Sequence, residues 1–220
     1  MQHPWPAYRE LIRQKIGAAV LVGGKSRRMG VDKALLRLGS MTLLERIGGQ
    51  LGALLSRVVL VGGENRFASF GWPHAPDRFP DAGPLGGILS AIEVVGRPWT
   101  LVTSCDLPLL EPALLEHLAL LALDETRAVA VVPRHEGRAE PLCALYSVAS
   151  LARLRRCFER GERSPTAALD SLAIHWVDTD ELQRHDAELR SFFNVNTPQD
   201  LARASAFVTG AEVDATHDAC

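Results

Sequence analysis

Long apolar runs are missing from this chain of 220 residues. None reaches the roughly 18 consecutive apolar residues that a membrane-spanning helix needs, so no membrane association is expected. The first fifteen residues, MQHPWPAYRELIRQK, lack the apolar centre of a secretory signal. Charge of one sign is missing too, since 24 basic residues stand against 26 acidic ones for a net charge of −2. That excludes the global basic field of a nucleic-acid-binding domain, and any phosphate binding must come from a local site. Cysteine is sparse and scattered, at positions 105, 143, 157 and 220, with no CxxC pair. Such thiols read as reduced, in a soluble and cytoplasmic protein. The seven histidines show neither HxH nor HxxxH spacing, which leaves metal-cluster and triad chemistry without an anchor. GxxxxGK[ST], GxGxxG and GxSxG are all absent, so the usual signatures of ATPases, dinucleotide dehydrogenases and serine hydrolases are missing.

What is present is an alternation of short apolar runs with longer amphipathic stretches. Residues 18–22 (AAVLV) read as a buried strand, followed at once by a glycine-rich polar loop over 23–33. Thr42 with Glu45 forms a capping-box pattern opening a helix that runs through Leu55. Residues 57–61 (RVVLV) are a second strand and 74–77 a short third. Pro84 opens a helix to Val95. Residues 100–104 (TLVTS) form a strand ending at Cys105-Asp106, and 111–123 a helix with Leu114, Leu115, Leu118 and Leu121 on one face. Strands over 128–132 and 142–146 and a helix over 150–160 follow. This order predicts an α/β fold with a mostly parallel sheet and helices on both faces. We divide the chain into an N-terminal extension, 1–16, one domain, 17–208, and a disordered tail, 209–220.

Three segments carry chemistry. The first is LVGGKSRRMGVDK, residues 21–33, directly after the first strand, where open α/β sheets bind ligands. Its glycines let backbone N–H groups approach a phosphate, and Lys25, Arg27, Arg28 and Lys33 can neutralise one. An ordinary basic surface loop is the competing structural reading. The second is Asp106, at the carboxyl end of a strand on the same sheet edge. A carboxylate there can hold Mg²⁺ shared with phosphates, although an aspartate two residues before Pro108 is also a common turn residue. The third is GPLGG, residues 83–87, with Asp77 ahead of it. It offers close backbone approach to a base or ribose, or else simply opens a helix. Two weaker segments follow. RAEPL (138–142) can present a cation to a second substrate or form a hairpin turn. FNVNTP (193–198) carries Asn194 and Asn196 on alternate extended positions, facing the same way, ahead of a helix capped by Thr197 and begun by Pro198.

Taken together, LVGGKSRRMGVDKALL (21–36), DRFPDAGPLGGILSA (77–91), TSCDLPLL (103–110), EPLCALY (140–146), GERSPTAALD (161–170) and NVNTPQDL (194–201) resemble the molybdenum cofactor guanylyltransferases of the nucleotidyltransferase superfamily. They occur in family order and span nearly the whole chain. Val22 stands where the family usually has Ala, and MGVDK lacks a glycine that many members carry. An asparagine often found after the second strand aligns with Gly63 or with Asn65.

The resemblance implies a Rossmann-like three-layer nucleotidyltransferase fold, with GTP and Mg²⁺ as partners and molybdenum-molybdopterin as acceptor. Recipient molybdoenzymes or their chaperones are further expected partners. It implies nucleotide contacts from Leu21, Val22, Gly23 and Gly24, phosphate binding by Lys33, guanine recognition by Asp77, and joint binding of GTP and Mg²⁺ by Asp106. Arg28, Lys33 and Asp106 are the expected catalytic residues. Asn194 and Asn196, remote in sequence from every nucleotide motif, are expected to serve the acceptor, with Arg163 supplying a cation for its phosphate. Two alternatives remain open at the level of sequence. One is a nucleotidyltransferase with another substrate pair, cytidylyl transfer to molybdopterin or a sugar-phosphate reaction. The other is a GTP-binding or cofactor-carrier protein without turnover.

Overall fold

The computed structural model describes residues 5–22, 32–63, 65–80, 82–124 and 127–210. Along the chain run α1 (Trp5–Lys15), β1 (Ile16–Leu21), β2 (Arg37–Leu38), β3 (Met41–Thr42), α2 (Leu43–Leu54), β4 (Val58–Val61), β5 (His74–Ala75) and α3 (Gly83–Val95). There follow β6 (Trp99–Ser104), α4 (Pro112–Leu123), β7 (Ala130–His135), β8 (Arg138–Ala139), β9 (Cys143–Ser147), α5 (Leu151–Glu159), α6 (Pro165–Leu169), β10 (Ile174–Asp178), α7 (Thr179–Leu182) and α8 (Pro198–Thr209).

The main sheet has the order β10-β7-β9-β6-β1-β4-β5, with β8 added to β7. β1 pairs in parallel with both β4 and β6, while β9 runs antiparallel between β6 and β7. Leu21 lies opposite Ser104 in the register of β1 and β6, so the chain leaves both strands side by side at one edge.

Helices cover both faces because the central strands are apolar on both faces. Along β1, Ala18 and Val20 pack with Ile12, Leu44, Ile47, Leu51, Leu114 and Leu118, from α1, α2 and α4. Ala19 and Leu21 pack instead with Leu85, Ile88, Leu89 and Ile92 of α3 and with residues of α5 and α6. The three-layer, mostly parallel architecture expected from the sequence is what the chain adopts. Among the described residues, no helix is long and apolar enough to cross a membrane.

Within residues 1–16, set apart above as an extension, α1 leads directly into β1 and buries Ile12 completely. A small third cluster joins Leu38 and Leu43 to Leu109, Val195 and Ala204, docking α8 on the β2–β3 hairpin. That hairpin feeds α2 through the expected capping box. The Thr42 hydroxyl accepts from the Glu45 N–H at 3.1 Å, and the Glu45 carboxylate accepts from the Thr42 N–H at 2.7 Å. Thr42→Ala removes the hydroxyl half of this box and is expected to cost about 1 kcal/mol. In a thermal melt of a domain this size that is a fall of about 2–4 °C in Tm.

Candidate active site

Asp106 lies two residues beyond β6, held in place from three sides. The Ser104 hydroxyl donates to Asp106 Oδ1. The Val195 N–H donates to the Asp106 carbonyl at 2.8 Å, and the Cys105 N–H donates to the Leu21 carbonyl at 3.3 Å. Leu107 and Leu110, just downstream, are buried in the core and anchor the turn. The Asp106 side chain keeps 24% exposure, which leaves the carboxylate open to a ligand.

Lys33 opens a single 3₁₀ turn, Lys33–Leu35, whose N-cap Asp32 accepts from the Ala34 N–H at 3.1 Å. The turn buries Ala34 and directs the Lys33 ammonium back over the sheet edge. Its Nζ lies 3.6 Å from Asp106 Oδ2 and donates to Asn196 Oδ1 at 2.6 Å. A cation and a carboxylate from the first and second segments therefore face each other at the carboxyl ends of β1 and β6. Burial, with the neighbouring Asp106 and Asp32 carboxylates, pushes the thiol of the adjacent Cys105 up to about 12, which disfavours the thiolate.

The other expected site residues fall as follows. Leu21 ends β1 and Val22 follows it, both with buried side chains, and the Val22 N–H donates to the Val61 carbonyl at 2.9 Å. Gly23, Gly24 and Arg28 lie outside the described residues. Asp77 is clamped to α3, its Oδ1 accepting from the Phe79 N–H at 2.9 Å and from the buried Ser90 hydroxyl at 2.7 Å. The glycines of GPLGG have a packing role. A Cβ at Gly87 would stand 2.9 Å from the Leu21 side chain, and one at Gly86 would stand 2.9 Å from Ala82 Cβ. RAEPL begins with β8 (Arg138–Ala139), the second strand of the β7–β8 hairpin, which turns just ahead of it through Glu136 and Gly137 at positive φ.

The expected acceptor set does not form one hydrogen-bonded group. Asn194 donates to the Phe192 carbonyl at 3.2 Å, whereas Asn196 takes Lys33 as its partner. Burial alternates over Asn194, Val195 and Asn196, so the two amides do share an exposed side. Arg163 sits in the α3, α5 and α6 layer, donating to the Phe158 and Glu162 carbonyls at 2.8 Å with its guanidinium 4.1 Å above the Phe158 ring. No hydrogen bond joins it to either asparagine. The premise that Asn196 is remote from every nucleotide motif holds along the sequence and fails in space.

Sequence reasoning passed over three residues that fix this site. Ser104 holds Asp106, and its S-x-D spacing was a readable signal. Ser90 holds Asp77 from 13 residues away along the chain, with no local signal. Asp200 accepts from the N–H groups of Asn196 and Thr197 at 3.0 and 2.9 Å. Against the burial that would raise it, these bonds hold the Asp200 carboxyl below its ordinary range.

The donor set suits Mg²⁺. Among the described residues no group of three or more His, Cys, Asp or Glu side chains could cage an ion, as a structural zinc site would require. Asp106 offers a single partly exposed carboxylate at the mouth of the sheet. Mg²⁺ is commonly held that way, by one or two carboxylates with the remaining ligands from water and substrate phosphates.

A mostly parallel sheet with a lysine and an aspartate facing each other beyond the carboxyl ends of two central strands defines an α/β protein whose candidate ligand crevice lies at that edge. A sequence model of the MobA-like NTP transferase domain matches residues 18–174, and the chain belongs to that family of nucleotidyltransferases. A probable molybdenum cofactor guanylyltransferase of Chloroflexus aggregans is 36% identical over 207 residues, covering 90% of this chain and 97% of that protein. The molybdenum cofactor guanylyltransferase of Mesorhizobium japonicum is 34% identical, over 88% of this chain and 96% of its own length. The crystal structure of molybdopterin-guanine dinucleotide biosynthesis protein A from Archaeoglobus fulgidus superposes with a TM-score of 0.77 at 30% identity, over 88% of this chain and 99% of that one. The 2-C-methyl-D-erythritol 4-phosphate cytidylyltransferase of Thermus thermophilus, 18% identical with a TM-score of 0.65 over 89% of this chain and 99% of its own, shares the fold.

Proposed function

We propose that this protein transfers GMP from GTP to molybdenum-molybdopterin, giving the molybdopterin guanine dinucleotide cofactor and pyrophosphate, in the cytoplasm. The observation that carries the reading is the approach of Lys33 Nζ to within 3.6 Å of Asp106 Oδ2 at the joined ends of β1 and β6. Nearly full-length similarity to proteins named for guanylyl transfer supports the choice of substrates.

In this reading an anionic oxygen of the terminal phosphate of molybdopterin attacks the α-phosphorus of GTP. The bond from that phosphorus to the α–β bridging oxygen breaks in line, and its electron pair leaves with pyrophosphate. The nucleophile is already an anion, so no general base is needed; among the described residues no histidine is hydrogen-bonded or ion-paired to Asp106 or Lys33. The protein's contribution is positioning and charge stabilisation. Lys33 binds the phosphates and, with Arg28 of the glycine-rich loop, stabilises the leaving pyrophosphate. Asp77, rigid on α3, accepts from the guanine edge. Asp106 would hold Mg²⁺ beside the nucleotide, and the ion would supply Lewis-acid stabilisation of charge at the α-phosphate. The finished cofactor would pass to recipient molybdoenzymes or their chaperones.

Pyrophosphate release with molybdenum-loaded molybdopterin and each of GTP, CTP and ATP tests the reading. GTP is expected to exceed the other two by at least roughly tenfold in kcat/KM, since a site that pairs with a base edge rejects bases lacking the matching groups. A preference for CTP, or no release with any nucleotide, would replace this function by one of the two alternatives.

A further inference from the structure

The Lys33 ammonium has two oxygen neighbours of different character. It donates to the neutral amide oxygen of Asn196 at 2.6 Å and stands 3.6 Å from the anionic Asp106 Oδ2, beyond hydrogen-bonding distance. An ammonium has three donors on a flexible four-carbon stem. At 3.6 Å the ammonium and the Asp106 carboxylate already form an ion pair, and closing it into a direct hydrogen bond would occupy the lone pairs of Asp106 and withdraw the cation from a phosphate. A neutral acceptor on the other side holds the ammonium in place without cancelling its charge.

Asn196 is itself firmly held. Its N–H donates to Asp200 Oδ2 at 3.0 Å, beside the Thr197 N–H at 2.9 Å on the same oxygen. Thr197 completes the box by accepting from the Asp200 N–H at 3.1 Å. One residue earlier, the wholly buried Val195 packs with Leu38 and Leu43, just downstream of Lys33, and donates its N–H to the Asp106 carbonyl. The segment is thus tied both to the elements that follow Lys33, β2 and α2, and to Asp106.

We propose that Asn196 is a positioning residue for Lys33, holding the ammonium off Asp106 and directed to the nucleotide's phosphates, with Asp200 fixing the Asn196 backbone. This rests on the guanylyl-transfer reading and reassigns Asn196 from the acceptor half of the site to the nucleotide half.

A double-mutant cycle on the full chain tests it, with Lys33→Ala, Asn196→Ala and the double variant. GTP affinity is measured by calorimetry with Mg²⁺ and no acceptor, and the KM values for GTP and molybdopterin are measured separately. Asn196→Ala is expected to weaken GTP binding and raise its KM by roughly tenfold, with the acceptor KM unchanged, as for loss of a bond to a charged group. In the Lys33→Ala background the same change is expected to alter GTP affinity less than about twofold, because coupled residues are not additive. Independent, fully additive losses, or a raised acceptor KM with GTP affinity unchanged, would overturn the proposal. Asn196→Ser, run through the same cycle, replaces Asn196→Ala if that variant melts early. A parent protein that binds GTP but transfers nothing removes the catalytic reading and leaves the binding cycle decisive. A parent that does not bind GTP removes both.

Discussion

Asp106→Ala is expected to lower guanylyl transfer by about a thousandfold or more while the protein stays folded. The side chain is partly exposed and stands outside the hydrophobic core; the substitution removes its bond from the Ser104 hydroxyl and its ion pair with Lys33, while the Val195 N–H bond to the backbone carbonyl survives. What disappears is the carboxylate that would hold Mg²⁺ against the α-phosphate, stabilisation worth several kcal/mol in the transition state. Each 1.36 kcal/mol is about tenfold in rate, so three such steps give the expected loss. Steady-state pyrophosphate release, read beside a thermal melt, checks both halves. Near-normal turnover at saturating Mg²⁺ would take the metal away from Asp106, and an unfolded variant would give it a structural role instead.

Lys33→Ala is expected to weaken GTP binding by roughly ten- to a hundredfold, because a charge-assisted bond to phosphate contributes about 1.5–3 kcal/mol. The loss of stability is expected to stay small. The core contact of the turn is made by the wholly buried Ala34, whereas the Lys33 side chain keeps 16% exposure and its ammonium contacts the exposed Asn196 and the partly exposed Asp106. Lys33→Arg is not a safe control, since a planar guanidinium does not replace a compact ammonium. Equal GTP affinities by calorimetry for Lys33→Ala and the parent would make the segment after the glycine-rich loop an ordinary surface turn.

The elements legible in the sequence were those whose signals are local. The Thr42–Glu45 box starts α2, and Thr197-Pro198 starts α8, as their residue types dictate. The AAVLV run marks β1, though the strand is shifted to Ile16–Leu21 by pairing with β4 and β6. α1 escaped because WPAYRELIRQK is mostly polar and, of the side chains described in it, buries only Ile12 fully. β10 escaped because a strand at the sheet's edge, IHWVD, is only partly buried and shows no continuous apolar run. The strand at 128–132 lies at Ala130–His135 instead, displaced toward its polar end by pairing with β8 and β10. In the site, Lys33 and Asp106 were readable because each follows a strand end. The partnership of Lys33 with Asn196 was not, because nothing in either segment's composition encodes a neighbour in the other.

That partnership spans 163 residues, and it has a consequence for how the protein is made. A ribosome releases the chain from the N-terminus, so Lys33 emerges long before the residue that fixes its ammonium. β1 and α2 can gather early around local contacts, yet Lys33 stays without its amide partner until residues 194–200 arrive and α8 docks on the β2–β3 hairpin. Contacts this distant form late, after loop closure has already cost its entropy. A chain halted before Val195 would lack both the Val195 N–H bond to the Asp106 carbonyl and the Asn196 bond to Lys33, so the two residues of the candidate site would come under these restraints only once that segment has docked.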